Sequence, residues 1–409
     1  MYRPTRVPLP VLVAPAAAST ALALRPVRGP FPAATAGWVA SLPAQELPLH
    51  VGALVGAVTA HAWGRGQRRP SDLVGAGIAA LTCAGLGTVL ARHLAAGPAL
   101  ERALREGAGS RAGEPQEGAG SRAEGDDTAT TTSSAPRHRT PWPTVLTRPW
   151  PLPPRGVRAR RGMVYGPDPR ANRFDLYTRA DRAGDRRSFA DAPAVRGVLV
   201  HVHGGHFRAG GPSRESRAML FDHARRGWAA ISATYTLSPT PEGGFPQHLV
   251  DVKRLIRWIR VEGPAHGIPA GAPIVVAGSS AGAHIAMMSA LAAGDPRFQP
   301  GFTDVDTTLA GAVGLYGYYG RLGAATRDVS DPVRHPASAA PPVLVVHGTH
   351  DTYTPVTGAR RLVRHLRAGS SNPVVYAELP GAQHGFDAVR SPRYLAVVEA
   401  VARFTDRYA

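Results

Sequence analysis

Residues 277–283 read Ala-Gly-Ser-Ser-Ala-Gly-Ala, a G-x-S-x-G motif with Ser280 at its centre. An apolar run, residues 273–277, precedes the motif, and a run rich in Ala and Met with helical spacing, residues 281–293, follows it. A strand, a sharp turn between glycines and a helix form the context in which such a serine is raised out of the fold as a nucleophile. The N-terminal end of the helix also favours negative charge on a carbonyl oxygen under attack. The pattern therefore predicts a nucleophilic Ser280.

A serine hydroxyl is a poor nucleophile unless a base activates it and an acid orients that base. Asp351 follows the apolar run 342–346, and His384 stands in the loop after the run 374–379. Both runs predict buried strands, and the sites of open α/β sheets form at the carboxyl ends of strands. We predict a triad in the order Ser280, Asp351 and His384. Asp387 is a weaker rival for the acid because it lies so close in sequence to the histidine.

Backbone amides for an oxyanion are predicted upstream of the serine. The run 197–202 predicts a strand, and His203-Gly204-Gly205-His206 follows it. A loop of this H-G-G type supplies one amide to the oxyanion, and the residue after the nucleophile supplies another. We therefore predict that the amides of Gly204, Gly205 and Ala281 form an oxyanion hole.

A metal site is the rival interpretation of the same loop. His201, His203 and His206 have the H-x-H-x-x-H spacing that resembles the zinc loop of metallo-β-lactamase-like hydrolases. That loop has Asp where this chain has Gly205, and no further set of ligands is evident in the sequence. We therefore expect neither a metal nor an organic cofactor.

Strand and helix patterns alternate through the C-terminal part of the chain. An antiparallel pair is predicted at 162–165 and 173–177, and further strands are predicted near residues 197, 228, 274, 309, 343 and 374. Helices are expected near 214–226, 245–261, 281–293, 355–367 and 392–408. Such alternation predicts an α/β fold with a mostly parallel central sheet and helices on both faces.

Together these motifs resemble the α/β-hydrolases of the hormone-sensitive-lipase-like esterase class, and within it the membrane-associated carboxylesterases of mycobacteria and related actinobacteria. The resemblance covers roughly residues 158–408 and is carried by residues 161–167, 203–208, 232–235, 245–251, 278–284, 315–320, Asp351, Pro355 and 381–387. It implies hydrolysis of carboxylic esters through an acyl-enzyme. Two positions depart from the class, since His206 stands where a third Gly is frequent and Ser279 where Asp or Glu is frequent.

Two other functions fit the same motifs. A triad alone does not choose the acyl group, so an amidase or peptidase on this fold is an alternative to the esterase or lipase. An anchored binding protein on an inactive hydrolase scaffold is the non-enzymatic alternative, although the complete triad argues against it.

Arginine dominates the basic charge of this chain. The formal net charge is +18 over 409 residues, and Lys253 is the only lysine. The arginines are dispersed, and neither interleaved base-stacking aromatics nor a nucleic-acid motif accompanies them. We therefore predict no nucleic-acid partner and favour an anionic membrane surface instead. Cys83 is the only cysteine, which excludes an intramolecular disulfide.

The N-terminal part, residues 1–105, is predicted to insert in a membrane. Residues 47–63 are apolar and uncharged, and residues 73–91 form a 19-residue uncharged run that is long enough to span a bilayer core. The basic turn 65–69 between them is expected on the cytoplasmic side, which places the catalytic domain outside. A soluble pair of Ala-rich helices is the alternative. Residues 7–24 resemble a signal-peptide core, but Pro8, Pro10 and Pro15 argue against a regular helix there.

A flexible linker is predicted between this region and the catalytic domain. Residues 106–140 contain a repeated Gly- and Ala-rich segment and a tract of small polar residues, which cannot bury enough apolar surface to become ordered. We therefore divide the chain into residues 1–105, 106–140 and 141–409, and expect the last part to work alone. Residues 140–154 form either a cap over the site or an ordinary lead-in.

Overall fold

The computed structural model describes residues 7–64, 70–109, 139–180, 195–240 and 242–409. Its centre is an eight-stranded sheet of β1 (Val157–Val164), β2 (Arg173–Arg179), β3 (Val198–Val202), β4 (Ala229–Ala233), β5 (Ile274–Ser279), β6 (Gly311–Leu315), β7 (Val343–Gly348) and β8 (Val374–Leu379). The strand order is β1-β2-β4-β3-β5-β6-β7-β8. β2 pairs antiparallel with β1 and β4, and all other neighbours are parallel. The prediction of a mostly parallel sheet that opens with an antiparallel pair is confirmed.

Helices precede the sheet and connect its strands. The first six are α1 (Leu9–Leu24), α2 (Phe31–Glu46), α3 (Pro48–Gly64), α4 (Pro70–Leu94), α5 (Ala96–Gly109) and α6 (Trp142–Thr147). The other six are α7 (Arg217–Arg225), α8 (Gln247–Val261), α9 (Ala281–Leu291), α10 (Arg327–Ser330), α11 (Val356–Gly369) and α12 (Pro392–Tyr408).

The central strands are buried on both faces because two helical layers cover them. Side chains that alternate along β3, β5 and β7 point to opposite faces. One set, including Val200, Val276 and Val345, packs with α8, α9 and α11. The other set, including Val275 and Val346, packs with α5 and α12. This burial explains why the strands read as continuous apolar runs in the sequence.

The expectation that prolines interrupt residues 7–24 is wrong, since α1 is a regular helix over Leu9–Leu24. Pro8 is the N-cap and Pro10 lies in the first turn, where an amide has no partner within the helix and its loss costs nothing. Pro15 removes a single internal hydrogen bond, and α1 packs along α4, which compensates.

The two predicted apolar segments form α3 and α4. Among the described residues, one helical stretch, Pro70–Gly107, is long and apolar enough to cross a membrane, and only 28% of its most apolar window is buried in the protein. The basic turn 65–69 between α3 and α4 lies outside the described residues.

α5 packs against the catalytic sheet, although sequence analysis placed most of it with the N-terminal region. Ala96, Leu100 and Ala103 join the core between the sheet and α12. Gly107 lies over β8 so closely that an added Cβ would stand 2.5 Å from Val375 Cγ2. Residues 106–109 of the predicted linker therefore belong to a packed helix, and residues 110–138 lie outside the described part of the chain.

Candidate active site

The turn at Ser280 joins β5 to α9 and holds the serine in a strained conformation. Ser280 has φ 55° and ψ −115°, a region that residues with a side chain rarely adopt. A Cβ added at Gly278 would lie 2.1 Å from the carbonyl oxygen of Gly282, and one added at Gly282 would lie 2.0 Å from that of Val202. Both glycines are therefore required by close backbone approach, which explains the spacing of the motif.

The structure brings Ser280, His384 and Asp351 into one hydrogen-bonded chain. His384 Nε2 lies 2.9 Å from Ser280 Oγ, and His384 Nδ1 lies 2.8 Å from Asp351 Oδ2. The three residues stand in the loops that follow β5, β8 and β7, at the carboxyl edge of the sheet. Each side chain is buried, and Ser280 and His384 also line a cavity.

Asp351 is held by several donors besides the histidine. Its Oδ1 accepts the amides of Tyr353 at 2.9 Å and Thr354 at 2.8 Å, and its Oδ2 accepts the Thr354 hydroxyl at 3.0 Å. Burial works against ionisation, but the charge and hydrogen bond of His384 outweigh it and hold the pKa of Asp351 below its usual value. The carboxylate is therefore ready to stabilise a protonated imidazole. Sequence analysis missed Thr354, whose role depends on the tight turn after Asp351.

Asp387, the rival acid, lines the same cavity as Ser280 but bonds other groups. Its carboxylate accepts hydrogen bonds from Ser279 Oγ at 2.7 Å, from the Ser216 hydroxyl and from the Tyr316 hydroxyl. His384 Nδ1 bonds Asp351 instead. The geometry therefore favours Asp351 as the acid that orients the histidine.

The amide of Gly204 differs from its predicted role. Its N–H donates to Glu215 Oε1 at 2.9 Å, so it is directed away from a substrate oxyanion. Gly205 lines the cavity, with φ +114° and no room for a side chain, since a Cβ would lie 1.8 Å from the carbonyl oxygen of Ala209. The oxyanion role of Gly205 and of Ala281, the first residue of α9, stays a prediction. No sequence pattern indicates that Glu215 accepts the Gly204 amide.

The three histidines considered above as zinc ligands each have different surroundings. His201 Nε2 lies 3.0 Å from Ser279 Oγ, and His203 Nε2 lies 2.9 Å from Thr234 Oγ1. Burial lowers the pKa of His201 to about 3 and that of His203 to about 4, which keeps both rings neutral. The His206 ring lies instead in the cavity wall. Within the described ranges, no group of three His, Cys, Asp or Glu side chains is arranged to hold a metal ion.

The cavity above Ser280 has a volume of about 390 Å³. Its largely aromatic and apolar wall includes Trp38, Leu42, His206, Tyr316, Tyr353 and Ala388. Trp38 and Leu42 belong to α2, a helix of the N-terminal region. The Trp38 Nε1–H donates to the carbonyl oxygen of His384 at 2.8 Å, and the two rings meet edge to face with centroids 5.5 Å apart. The N-terminal region thus forms part of the cavity over the candidate nucleophile.

The end of α2 is fixed to the catalytic domain by buried polar contacts. Glu46 Oε1 pairs with Arg393 Nη1 at 3.2 Å, and its Oε2 accepts the Ser391 hydroxyl at 3.2 Å. Both partners stand at the start of α12. A buried pair of this kind is costly to break on one side, because the remaining charge has no solvent.

The segment 140–154, left open between cap and lead-in, contributes no residue to the wall of the cavity above Ser280. It contains α6 and the carbonyl groups of Arg148 and Trp150, which accept hydrogen bonds from Arg390 Nη1 at 3.1 Å and 3.0 Å. His50 of α3 reaches the Leu146 carbonyl oxygen at 3.0 Å. The segment therefore connects α3 to the loop before α12.

Comparisons with known proteins agree with this geometry. A family model described as BD-FAE matches residues 190–318, and the model of the prolyl oligopeptidase family matches residues 266–409. The probable carboxylic ester hydrolase LipM of Mycobacterium tuberculosis is 32% identical over 96% of this chain and 91% of its own length. The esterase LipQ of the same organism is 34% identical over 59% of this chain and 60% of its own length.

Solved structures share the fold. A bifunctional GH43-CE protein of Bacteroides eggerthii matches with a TM-score of 0.51 and 18% identity, over 61% of this chain and 38% of that one. Esterase 2 of Thermogutta terrifontis, phosphonylated by cyclosarin, matches with a TM-score of 0.50 and 22% identity, over 62% of this chain and 94% of its own. At such identities the likeness establishes the fold.

Proposed function

Because this chain belongs to the family of carboxylic ester hydrolases that includes LipM, we propose that Ser280, His384 and Asp351 carry out its ester hydrolysis. The observation that carries the proposal is the continuous chain of hydrogen bonds from Asp351 through His384 to Ser280. An inactive scaffold for binding has no need of this arrangement, which requires a strained serine and a buried carboxylate. The proposal therefore favours an enzyme over the binding protein.

The reaction proceeds in two half-reactions. Ser280 Oγ attacks the ester carbonyl carbon while His384 Nε2 takes the hydroxyl proton, and the carbonyl oxygen becomes an oxyanion. The amides of Gly205 and Ala281, with the N-terminal end of α9, stabilise that charge. His384 then gives its proton to the departing alkoxide, which leaves an acyl-serine. A water molecule repeats the sequence, releases the carboxylic acid and restores Ser280.

The cavity favours small to medium esters. Pockets that bind small molecules span about 300 to 1,000 Å³, so a volume of about 390 Å³ lies at the lower end of that range. Trp38, Leu42 and Tyr353 give its wall an apolar character that suits an acyl chain. We therefore expect hydrolysis of esters with short acyl chains to exceed hydrolysis of long ones while α2 stays in place.

We further propose that the N-terminal helices anchor the enzyme in a membrane. α4 is 25 residues long, about 38 Å at 1.5 Å per residue, which exceeds the hydrocarbon core of about 30 Å. Large apolar side chains face outward on these helices, with Leu81 77% and Leu54 63% exposed. Lipid is the environment that suits such a surface. Because the C-terminal end of α4 leads into α5 on the catalytic sheet, the N-terminal end of α4 points away from the sheet, and a cytoplasmic location of that end leaves the catalytic domain outside.

The proposed function is tested with a panel of p-nitrophenyl esters, from acetate to palmitate, beside the matching anilides. Ser280→Ala should remove activity on every ester by about 10⁴-fold or more, because the members of a triad act as a unit. Circular dichroism and thermal unfolding check that the variant folds. A variant that keeps more than a few per cent of the turnover contradicts the assignment of Ser280. Faster cleavage of anilides than of esters favours the amidase or peptidase instead.

A further inference from the structure

A second network of buried polar groups lines the same cavity as Ser280 and takes no part in the triad. Glu215, in the loop between β3 and α7, and Asp387, after β8, both meet the hydroxyl of Tyr316. The Tyr316 hydroxyl lies 3.1 Å from Glu215 Oε2, and it also donates to Asp387 Oδ1. The Tyr316 ring packs edge to face on the His384 ring, with centroids 4.7 Å apart. The network therefore touches both the histidine and the oxyanion loop.

The protons available for hydrogen bonding indicate that Glu215 and Asp387 differ in protonation state. One hydroxyl has a single proton, so it cannot donate fully to two carboxylates at once. Asp387 also accepts the hydroxyls of Ser216 and Ser279, which suit a carboxylate. Glu215 accepts the Gly204 amide and meets Tyr316 with its other oxygen. A proton on Glu215 Oε2 would donate to the Tyr316 oxygen and satisfy every contact in the network.

Glu215 also stands close to the proposed reacting atoms. A Cβ built on Gly204 would lie 3.0 Å from Ser280 Cβ and 3.4 Å from Glu215 Oε2, so the carboxyl group and the nucleophile flank the same glycine. A Cβ built on Gly205 would lie 3.1 Å from Arg214 Nη1. Gly204 therefore lies next to the Glu215 side chain, and Gly205 lies next to the side chain of the preceding residue, Arg214.

We propose that Glu215 is a positioning residue of the oxyanion hole, which acts as the neutral acid and fixes Gly204 so that the Gly205 amide faces the substrate. The proposal rests on the proposed function, because it assigns a role beside the same Ser280. In the neutral form, Glu215 holds the loop without adding negative charge next to a developing oxyanion. In the ionised form it would oppose that charge across a buried, weakly screened site.

The surroundings of Glu215 agree with this role. Burial, supported by the charge of Asp387, raises the pKa of Glu215 to about 7, and the neighbouring Arg214 opposes the rise. The other titratable groups around the network include Tyr316, Tyr235 and Tyr394. They also include His201, which contacts Ser279, His384, whose ring packs on Tyr316, and Glu46, which pairs with Arg393 and whose charge acts on Asp387. Burial lowers the pKa of His201 to about 3, which keeps its ring neutral. Burial raises the pKa of all three tyrosines, so they stay neutral as Glu215 titrates. The turnover number of the full chain should therefore fall as pH rises through the pKa of Glu215.

The test compares Glu215→Gln with Glu215→Ala in the full chain, using p-nitrophenyl butyrate across acid and alkaline pH. Glutamine keeps an oxygen for the Gly204 amide and an N–H for Tyr316, but it has no charge. We expect Glu215→Gln to lose the decline in kcat at high pH, so that the ratio of its kcat to that of the unaltered protein rises with pH. Glu215→Ala should lower kcat on the order of 10-fold or more at every pH, with a smaller change in KM.

Glu262→Gln is the matched control, because Glu262 is an exposed glutamate that pairs with Arg257 at the surface. Its pH profile should equal that of the unaltered protein. A decline at high pH that persists in Glu215→Gln, or a kcat of Glu215→Ala within twofold of the unaltered protein, overturns the proposal. If Glu215→Ala fails to fold, the profile of Glu215→Gln decides alone. Ser280→Ala separates the two proposals, since activity that survives it refutes the triad, whereas Ser280-dependent activity with an unchanged Glu215→Gln profile refutes only the role of Glu215.

Discussion

Asp351 and Asp387 lie within one buried region, yet their hydrogen bonds give them different tasks. Asp351 bonds the imidazole nitrogen that faces away from Ser280, so its carboxylate can fix the tautomer that accepts the serine proton. Asp387 bonds Ser279, Ser216 and Tyr316, and thereby connects the serine turn to neighbouring loops. The first residue should therefore govern turnover and the second should govern stability.

Asp351→Asn should lower kcat by about 10⁴-fold, because an amide in that place leaves His384 in the wrong tautomer. Asp387→Asn should lower kcat far less and should lower the melting temperature, since a buried network loses its charged acceptor. Steady-state kinetics and thermal unfolding of both variants check this ranking. A larger loss of kcat in Asp387→Asn than in Asp351→Asn reverses the assignment of the acid.

The hydrogen-bonded arrangement of Ser280, His384 and Asp351 could be predicted from the sequence because each residue is tied to a local pattern. Ser280 lies in a turn whose glycines are required by backbone contacts, and Asp351 and His384 each follow an apolar strand. The direction in which a backbone N–H group points is not indicated by any such local pattern. Gly204 was assigned to the oxyanion hole, and its N–H points instead to Glu215, whose placement depends on a loop of irregular backbone between β3 and α7.

α2 connects the N-terminal helical region to the loop of His384 and to the start of α12. Its Trp38 bonds the carbonyl group of His384, a residue 346 positions later, and its Glu46 pairs with Arg393 at the start of α12. The ring of Phe31, at the first turn of α2, packs at a tilt against the Tyr353 ring, with centroids 5.1 Å apart. The helix therefore forms the roof of the cavity and at the same time belongs to the apolar N-terminal region.

Trp38→Ala should shift the preference of the enzyme toward longer acyl chains, because it removes part of the roof and enlarges the cavity. We expect kcat/KM for the acetate and butyrate esters to fall on the order of 10-fold, since a small acyl group loses an apolar wall and the His384 loop loses a hydrogen bond. The ratio of kcat/KM for long and short p-nitrophenyl esters measures the shift. Trp150→Ala, which removes an exposed tryptophan, is the control and should leave that ratio unchanged.

An unchanged ratio in Trp38→Ala would mean that α2 contributes no wall to the acyl site. The position of α2 could not be predicted from the sequence, whereas the eight strands and the helices α7, α8, α9, α11 and α12 were predicted. The strands have apolar runs because they are buried on both faces, and such runs can be recognised from the sequence alone. The contact between Trp38 and His384 has no comparable signal, because it depends on how the N-terminal helices fold back over the carboxyl edge of the sheet.

The molecule as a whole combines an apolar helical region and a catalytic domain that share part of one core. α5 buries Ala96, Leu100 and Ala103 against the sheet and α12, so residues before the predicted boundary at 105 cover apolar strands of the catalytic domain. A chain that starts near Thr140 would expose that surface. The shortest fragment in which α5 still covers the sheet therefore starts near Ala96 and lacks α1 to α4.

The full chain should stay in the membrane pellet after a wash at high salt, and a chain that starts near Ala96 should be soluble. Burial of an apolar helix does not depend on charges that salt screens, so extraction by salt would show that the basic surface of the protein is the anchor. The shorter chain should still hydrolyse acetate and butyrate esters, because it keeps Ser280, His384 and Asp351 with their sheet. It should also accept longer esters more readily than the full chain, since it lacks the roof from α2.

Activity assays and sedimentation of the two chains separate anchoring from catalysis. Ser280→Ala in the shorter chain is the control, and it should sediment as that chain does while losing activity. A shorter chain that is soluble and folded but inactive on every ester would show that α2 is needed for the reaction itself, because its bond to the His384 loop would then be what holds the imidazole in line with Ser280. The chain-length profile decides between these roles, since a helix that only forms a wall changes which esters are cleaved without abolishing cleavage.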